Sequence, residues 1–275
     1  MMKNKFFMLG LGALLALTMV ISGCNRNTGN GGDELEGSIT INGSTSVAPV
    51  VQVLAEEFMA LHKNVQIHVQ STGSSAGIRA AQENTSEIGM TSRALKAEEK
   101  TVKEFTLAKD AIVIVVNKAN PVSAITLEQI RKIYLGEITN WSELGGADVP
   151  IIVVTRETGS GTRGAFEDIV MNKQEIMASA IVQGSTGAVR TAVENDPNAI
   201  GYVSLAALTD GVKGLAVDGV NASEATILNG TYKIARPFIL MTHDTPEGLA
   251  KAFLDFCLSS EGQSLVREEG LVPAK

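Results

Sequence analysis

The sequence predicts an α/β protein of two domains, each a mostly parallel sheet flanked by helices. Three observations predict it. Short β-patterned runs alternate with segments whose apolar residues recur at helical spacing, the pattern of parallel strands joined by crossover helices. One run, Ala111-Ile112-Val113-Ile114-Val115-Val116-Asn117, is almost continuously apolar, as a strand covered on both faces must be. Glycine- and hydroxyl-rich turns stand before helices at Gly43–Ser46, Gly73–Ser75, Gly159–Thr162 and Gly184–Gly187. The first three follow a strand directly, and ligands of open α/β sheets sit beyond the carboxyl ends of strands.

The chain opens with a targeting segment. Lys3 and Lys5 form a charged region, and Phe6 to Ile21 an apolar one too short and too glycine-interrupted for a comfortable membrane span of roughly 20 residues. Ile21-Ser22-Gly23-Cys24 resembles a bacterial lipobox, in which the cysteine becomes the lipidated first residue. The other reading is an ordinary cleaved signal with a chance cysteine. Residues 1–23 are thus a lipoprotein signal peptide, Cys24 the lipid attachment point, and residues 24–37 a polar, flexible tether. The expected location is extracytoplasmic, anchored to the bacterial cell membrane. With Cys24 lipidated, Cys257 has no partner and no disulfide is expected.

The folded elements follow in order. Ser38–Asn42 reads as a strand, and Val47, Val50, Val51, Leu54, Phe58 and Leu61 then recur at helical spacing. Val65–Val69 alternates as a second strand, and Ser71–Gly77 turns into a helix from Ile78 to about Glu83. Ile88–Arg93 is a short strand with a polar end, and Lys96–Glu104 is predicted helical. The apolar run at Ala111 comes next, and Pro121 marks a break. Leu127–Leu135 is a helix, and Ile138–Gly146 a turn-rich connection that carries Trp141. Pro150–Val154 is a strand running into Thr155–Phe166, where three glycines, four hydroxyl side chains and two arginines gather. A helix-like segment from Phe166 to about Met171 leaves it. Gln174–Ile181 is read as a helix, Ala188–Glu194 as another, and Ile200–Val203 as a strand; Leu215–Asn229 shows no clear period. Arg236–Met241 is a strand returning to the first half, and Leu249–Val266 a terminal helix with Leu249, Phe253, Phe256 and Cys257 on one face. Residues 38–116 and 236–275 therefore form one domain, and residues 117–235 a second inserted into it.

Composition narrows the function. The 23 Lys+Arg against 30 Asp+Glu, with 4% aromatic residues, argue against nucleic acid. The chain carries a formal net charge of −7, so any anion must be held by local donors rather than by the long-range field. Each glycine turn can aim successive backbone N–H groups at one point. Each helix start adds unpaired N–H groups and a partial positive charge. A small anion suits such a place; the plainer alternative is a set of capped β–α turns. Arg156 adds a planar fork suited to an oxyanion.

Four segments carry a family resemblance. Gly43-Ser44-Thr45-Ser46-Val47-Ala48-Pro49, Thr72-Gly73-Ser74-Ser75-Ala76-Gly77, Ile88-Gly89-Met90-Thr91-Ser92-Arg93 and Arg156-Glu157-Thr158-Gly159-Ser160-Gly161-Thr162 resemble, in that order, the phosphate-binding proteins of phosphate ABC transporters (PstS type). Gly136-Glu137-Ile138-Thr139-Asn140-Trp141 and Ala199-Ile200-Gly201-Tyr202-Val203 are similar to further signatures of that family. The resemblance implies a type II periplasmic-binding-protein-like clamp, acting as a monomer, that closes on inorganic phosphate and delivers it to ABC permease subunits. No catalysis or cofactor is expected, and no Cys/His spacing suggests a metal. The resemblance places Thr45, Ser74, Arg156, Ser160, Gly161 and Thr162 on the ion; Ser44, Ser46, Ser75, Ser92 and Arg93 complete the candidate set. One departure stands out. Familiar members carry Asp where this chain has Ser92, and that Asp accepts the proton of hydrogen phosphate, which helps reject sulfate. A serine can donate or accept. Glu157 either accepts the phosphate proton or pairs with Arg156 or Arg163.

Three rival readings stay open, one of them a pure adhesin or signalling lipoprotein. The solute is another tetrahedral oxyanion (sulfate, molybdate, tungstate) or a phosphorylated organic. Alternatively, Gly73-Ser74-Ser75-Ala76-Gly77 is the Gly-x-Ser-x-Gly elbow of a serine hydrolase. That elbow needs a histidine base, and the chain has only His62, His68 and His243.

Overall fold

A computed structural model describes residues 35–274. The expected signal peptide and Cys24 lie outside the described residues. In chain order the elements are β1 (Glu36–Gly43), α1 (Ala48–Leu61), β2 (Asn64–Ser71), α2 (Ser74–Gln82), β3 (Ile88–Thr91), β4 (Lys103–Asn117), β5 (Ala124–Ile125), α3 (Leu127–Leu135), β6 (Ile152–Arg156) and α4 (Gly161–Ile169). Then come β7 (Ile181–Gln183), α5 (Thr186–Asn195), β8 (Ala199–Ser204), β9 (Val212–Gly214), β10 (Ala216–Val217), α6 (Glu224–Leu228), β11 (Ala235–Thr242), α7 (Gly248–Cys257), α8 (Ser260–Glu268) and β12 (Val272–Pro273).

The main sheet runs β2-β1-β3-β11-β4-β8-β6-β7. Its two flanks are parallel: β1 with β2 and β3, and β6 with β7 and β8. The middle is antiparallel, with β11 against β3 and β4, and β4 against β8. The antiparallel middle is where the chain passes from one flank to the other.

Two cores flank that middle. Ile39, Ile41, Val51, Leu54, Phe58, Phe238, Phe253 and Leu254 pack into one. Ile130, Ile133, Tyr134, Trp141, Phe166, Ile200 and Tyr202 pack into the other, where the Phe166 and Tyr202 rings stack 4.3 Å apart. Strand β4 serves both: Leu107 and Ala108 belong to the first, and Ala111, Ile112, Ile114 and Val116 to the second. Asp110 through Val116 are all buried, which explains the unbroken apolar run read from the sequence. The returning chain makes the same transition between Ile234 and Phe238.

Several expectations are corrected. The strand β1 starts at Glu36, paired with Asn64, inside the stretch expected as tether. Lys96–Glu104 is not a helix; only Ala97–Glu99 makes a 3-10 turn, and Lys103 already belongs to β4. Gln174–Ile181 forms turns and then leads into β7. The helices α2 and α4 begin earlier than expected, at Ser74 and Gly161, so the glycine turns are themselves the first helical residues. The terminal helix is two: Ser259 accepts a hydrogen bond from the Gly262 amide at 3.1 Å and starts a new helix.

Cys257 is fully buried on α7, and burial pushes its thiol well above the usual range. Thiolate is the reactive form, so Cys257 is expected to be silent to a thiol reagent in the folded chain and to react only after denaturant is added. Among the described residues, no helix is long and apolar enough to cross a membrane.

Candidate anion-binding site

Four helix starts meet at the middle of the sheet. The turn after β1 supplies Thr45 and Ser46, and α2 begins with Ser74 and Ser75. The turn after β6 supplies Ser160, Gly161 and Thr162, and Thr186 opens α5. Side-chain bonds show that they touch. Ser46 Oγ lies 2.9 Å from Thr162 Oγ1 and 2.7 Å from Thr186 Oγ1. Thr45 Oγ1 accepts from the Thr186 amide at 3.3 Å. Ser75 N donates to the Gly159 carbonyl at 3.1 Å. On the far side, Ser74 Oγ is 3.4 Å from Ser92 Oγ and accepts from the Ser92 amide at 3.2 Å. A Cβ placed on Gly161 would stand 2.2 Å from Ser74 Oγ and 2.8 Å from Ser92 Oγ, so that glycine seals the two groups together.

Arginines close the ring. Arg156, 1% exposed, gives its Nε and Nη2 to the Glu157 carboxylate, each at 2.8 Å, and its Nη1 to Thr186 Oγ1 at 3.1 Å. Glu157 therefore pairs with Arg156, one of the alternatives read from the sequence. Arg236 on β11 reaches the same hydroxyls: its Nη1 donates to Thr162 Oγ1 at 2.7 Å and to the Ser92 carbonyl at 3.1 Å. Directly across the strand pair stands Asp110. Its Oδ2 accepts from Arg236 Nε at 3.0 Å, and its Oδ1 from Ser204 Oγ and the Leu205 amide. Burial pushes the Asp110 carboxyl up and the Arg236 guanidinium down, and the attraction between the two charges opposes both shifts. Behind Arg156, burial raises the Tyr202 phenol to about 12. The phenol stays neutral, bonded to Thr155 Oγ1 at 2.8 Å and to the Arg156 amide at 3.3 Å.

Not every expected residue points inward. Ser44 Oγ accepts from the amides of Ser46 and Val47 and so closes the turn that precedes α1. Ser160 Oγ caps α4 through the Arg163 amide, while Ser160 itself remains 3% exposed beside the ring. Arg93 is in the candidate set as well. Its two terminal nitrogens instead close on Glu99 at 2.6 and 2.7 Å, and that pairing holds the Glu99 carboxyl below its ordinary range. His62 packs on the Phe58 ring, and His243 Nδ1 lies 3.3 Å from the Ala81 carbonyl. Among the described residues, no histidine bonds Ser75.

Sequence reasoning missed three participants. Thr186 carried the same turn signature as the others but was left out of the candidate set. Asp110 and Arg236 each stand directly beside an apolar strand segment, and that is a usable signal, because a buried charge needs a partner. The assembled site is a shell of hydroxyls, helix-start amides and two guanidiniums whose charges are each balanced by one carboxylate. Its hydroxyls satisfy one another as donor or acceptor. Chemically it suits a compact oxyanion, which offers only acceptors around its charge.

Comparison with known proteins agrees. A family model described as a PBP superfamily domain matches residues 28–261. The chain is 34% identical over 290 residues to the phosphate-binding protein PstS of Bacillus subtilis, covering 99% of this chain and 95% of that one. It is 31% identical over 251 residues to PstS of Borreliella burgdorferi, covering 86% and 90%. A solved structure from Clostridium perfringens with bound phosphate superposes with a TM-score of 0.84 at 45% identity, covering 87% of this chain and 100% of that one. An ABC-type phosphate transport receptor from Vibrio cholerae gives 0.72 at 38% identity, covering 85% and 99%. A shell built from four helix starts and the likeness of nearly the whole chain lead to one assignment: the chain belongs to the periplasmic-binding-protein superfamily and, within it, to the PstS type.

Proposed function

We propose that this chain is an extracytoplasmic solute-binding lipoprotein that captures inorganic phosphate between two domains and delivers it to the permease subunits of an ABC transporter. The observation that carries the reading is the convergence of Thr45, Ser46, Ser74, Gly161, Thr162 and Thr186 with Arg156 around one point. The Ser75 and Ser160 amides are taken by the Gly159 and Glu157 carbonyls at 3.1 and 3.0 Å, so these two residues frame the site, and Ser92 faces Ser74. A handful of charge-assisted hydrogen bonds, roughly 1.5–3 kcal/mol each, reaches micromolar affinity or better after the costs of ordering and desolvation. The relatives named above are phosphate-binding proteins, which supports phosphate as the ion.

The two domains are residues 38–116 with 236–275, and residues 117–235. The transition of β4 between cores at Asp110, and of the returning chain at Arg236, supports a hinge at those two residues, which moves residues 111–116 from the first domain to the second. The signal peptide, lipidation at Cys24, membrane anchoring outside the cytoplasm, and action as a monomer belong to the same reading. So does the absence of catalysis, with Ser75 a helix-start residue.

Ser92 bears on selectivity. Both carboxylates at the site are already engaged by arginines, so the proton of hydrogen phosphate falls to hydroxyl or carbonyl acceptors. Isothermal calorimetry is expected to show phosphate binding at micromolar affinity or better, with sulfate much weaker. Equal affinities would defeat the phosphate assignment and leave the fold standing.

A further inference from the structure

The geometry points to Arg236 as a second guanidinium on the bound anion, with Asp110 as the counter-charge that balances it until the anion arrives; this rests on the phosphate reading above. Arg236 is 3% exposed. Its Nη2 is the one buried side-chain polar atom among the described residues with no hydrogen-bond partner. Nη2 stands 2.9 Å from Asp110 Oδ2, but without the alignment of a hydrogen bond, and that oxygen already takes Nε at 3.0 Å. A buried guanidinium donor left unused is costly.

Its direction follows from the shape of the group. A guanidinium is planar and carries five N–H donors in a fixed fork. With the Nε edge turned to Asp110, the outward N–H of Nη2 runs parallel to an N–H of Nη1. The acceptors of Nη1 are Thr162 Oγ1 and the Ser92 carbonyl, both of the anion site. The unused donor therefore faces the same place, and the Phe238 ring, 5.2 Å from the guanidinium carbon, backs the fork from one side. An oxyanion there meets the terminal edge of the fork while Asp110 keeps the opposite edge.

The arrangement also couples binding to both sides of the cleft. Arg236 and Asp110 are cross-strand partners where β11 meets β4. Their bonds run to Ser92 on one side and to Thr162, Ser204 and Leu205 on the other. One charge pair thus reads the ion and holds the crossing point.

The test uses two variants that a purely structural pair would affect alike. Arg236→Lys keeps a cation near Asp110 but removes the outward donor edge. Phosphate affinity by calorimetry is expected to fall about 10- to 100-fold. Asp110→Asn keeps an oxygen for Ser204 and Leu205 but strips Arg236 of its counter-charge. The ligand-free variant is expected to melt lower than wild type, because a buried charge loses its partner, and phosphate is expected to raise its Tm by more than it raises the wild-type Tm. An Arg236→Lys affinity within threefold of wild type overturns the inference. If that variant does not fold, Asp110→Asn decides: a phosphate shift no larger than in wild type overturns it, and a larger shift upholds it. A wild-type chain that binds no phosphate removes the phosphate reading and this one with it, whereas wild-type binding with an unaffected Arg236→Lys removes this one alone.

Discussion

Arg156→Ala is expected to weaken phosphate binding about 100- to 10,000-fold, the worth of two charge-assisted hydrogen bonds at roughly 1.5–3 kcal/mol each. No other guanidinium is so completely prepared. The Glu157 carboxylate grips one edge and the Gln183 carbonyl accepts from Nε at 3.2 Å, so the fork cannot swing. The Nη1 nitrogen alone faces the hydroxyls. Little ordering remains to be done when the ion arrives, which is where affinity is usually lost. Arg156→Lys should recover only a minor part, because an ammonium is a point charge without the fork. The fold should survive: the Glu157 side chain is 33% exposed, so water can take the place of its partner. Calorimetry checks the affinity, and a melting curve of the free chain checks that the loss is local. A drop smaller than threefold would remove Arg156 from the site.

Gly161→Ala should do comparable damage by a different route. The added methyl would lie 2.2 Å from Ser74 Oγ and 2.8 Å from Ser74 Cβ. No serine rotamer clears both, since Cβ is fixed by the backbone and Ser74 is wholly buried. Overpacking of this kind typically costs 1–3 kcal/mol or more, and here the strain is relieved only by moving the start of α4 away from α2. That separation is the opposite of what a caged ion requires. Phosphate affinity is expected to fall at least about 100-fold, while the Tm of the free chain, which need not keep the two helix starts pressed together, changes by only a few degrees. Scattering in solution should show a more open shape that phosphate does not compact. Normal affinity in this variant would mean that the close approach of Gly161 to Ser74 plays no part in binding.

Most of the architecture was legible because the signals are local. Leu127–Leu135 coincides with α3, where Thr126 and Gln129 exchange hydrogen bonds as a capping box. The apolar run at Ala111 announced a doubly covered strand. The errors fell where a long-range partner overrides local preference. Glu98, Glu99 and Lys100 are good helix formers, yet the chain is drawn into β4 a few residues later because β11 pairs with it across more than a hundred intervening residues. The break at Ser259 was hidden because the apolar spacing continues through it. The site was half visible on the same grounds. Helix-start turns advertise themselves in sequence, so Thr45, Ser46, Ser74, Gly161 and Thr162 could be nominated and were brought together. A guanidinium does not advertise which carboxylate will claim it. Arg93 looked available and is taken by Glu99, six residues away. Arg236 looked like the mere beginning of a strand, and its partner Asp110 lies 126 residues earlier in the chain.

The fifteen-residue strand β4 has a mechanical consequence. Because it threads both cores without a loop between them, the two sides share no slack. If the chain closes as the two-domain reading has it, opening would be stored as torsion along this strand, like the winding of a leaf spring, and its recoil would act on the mouth of the site.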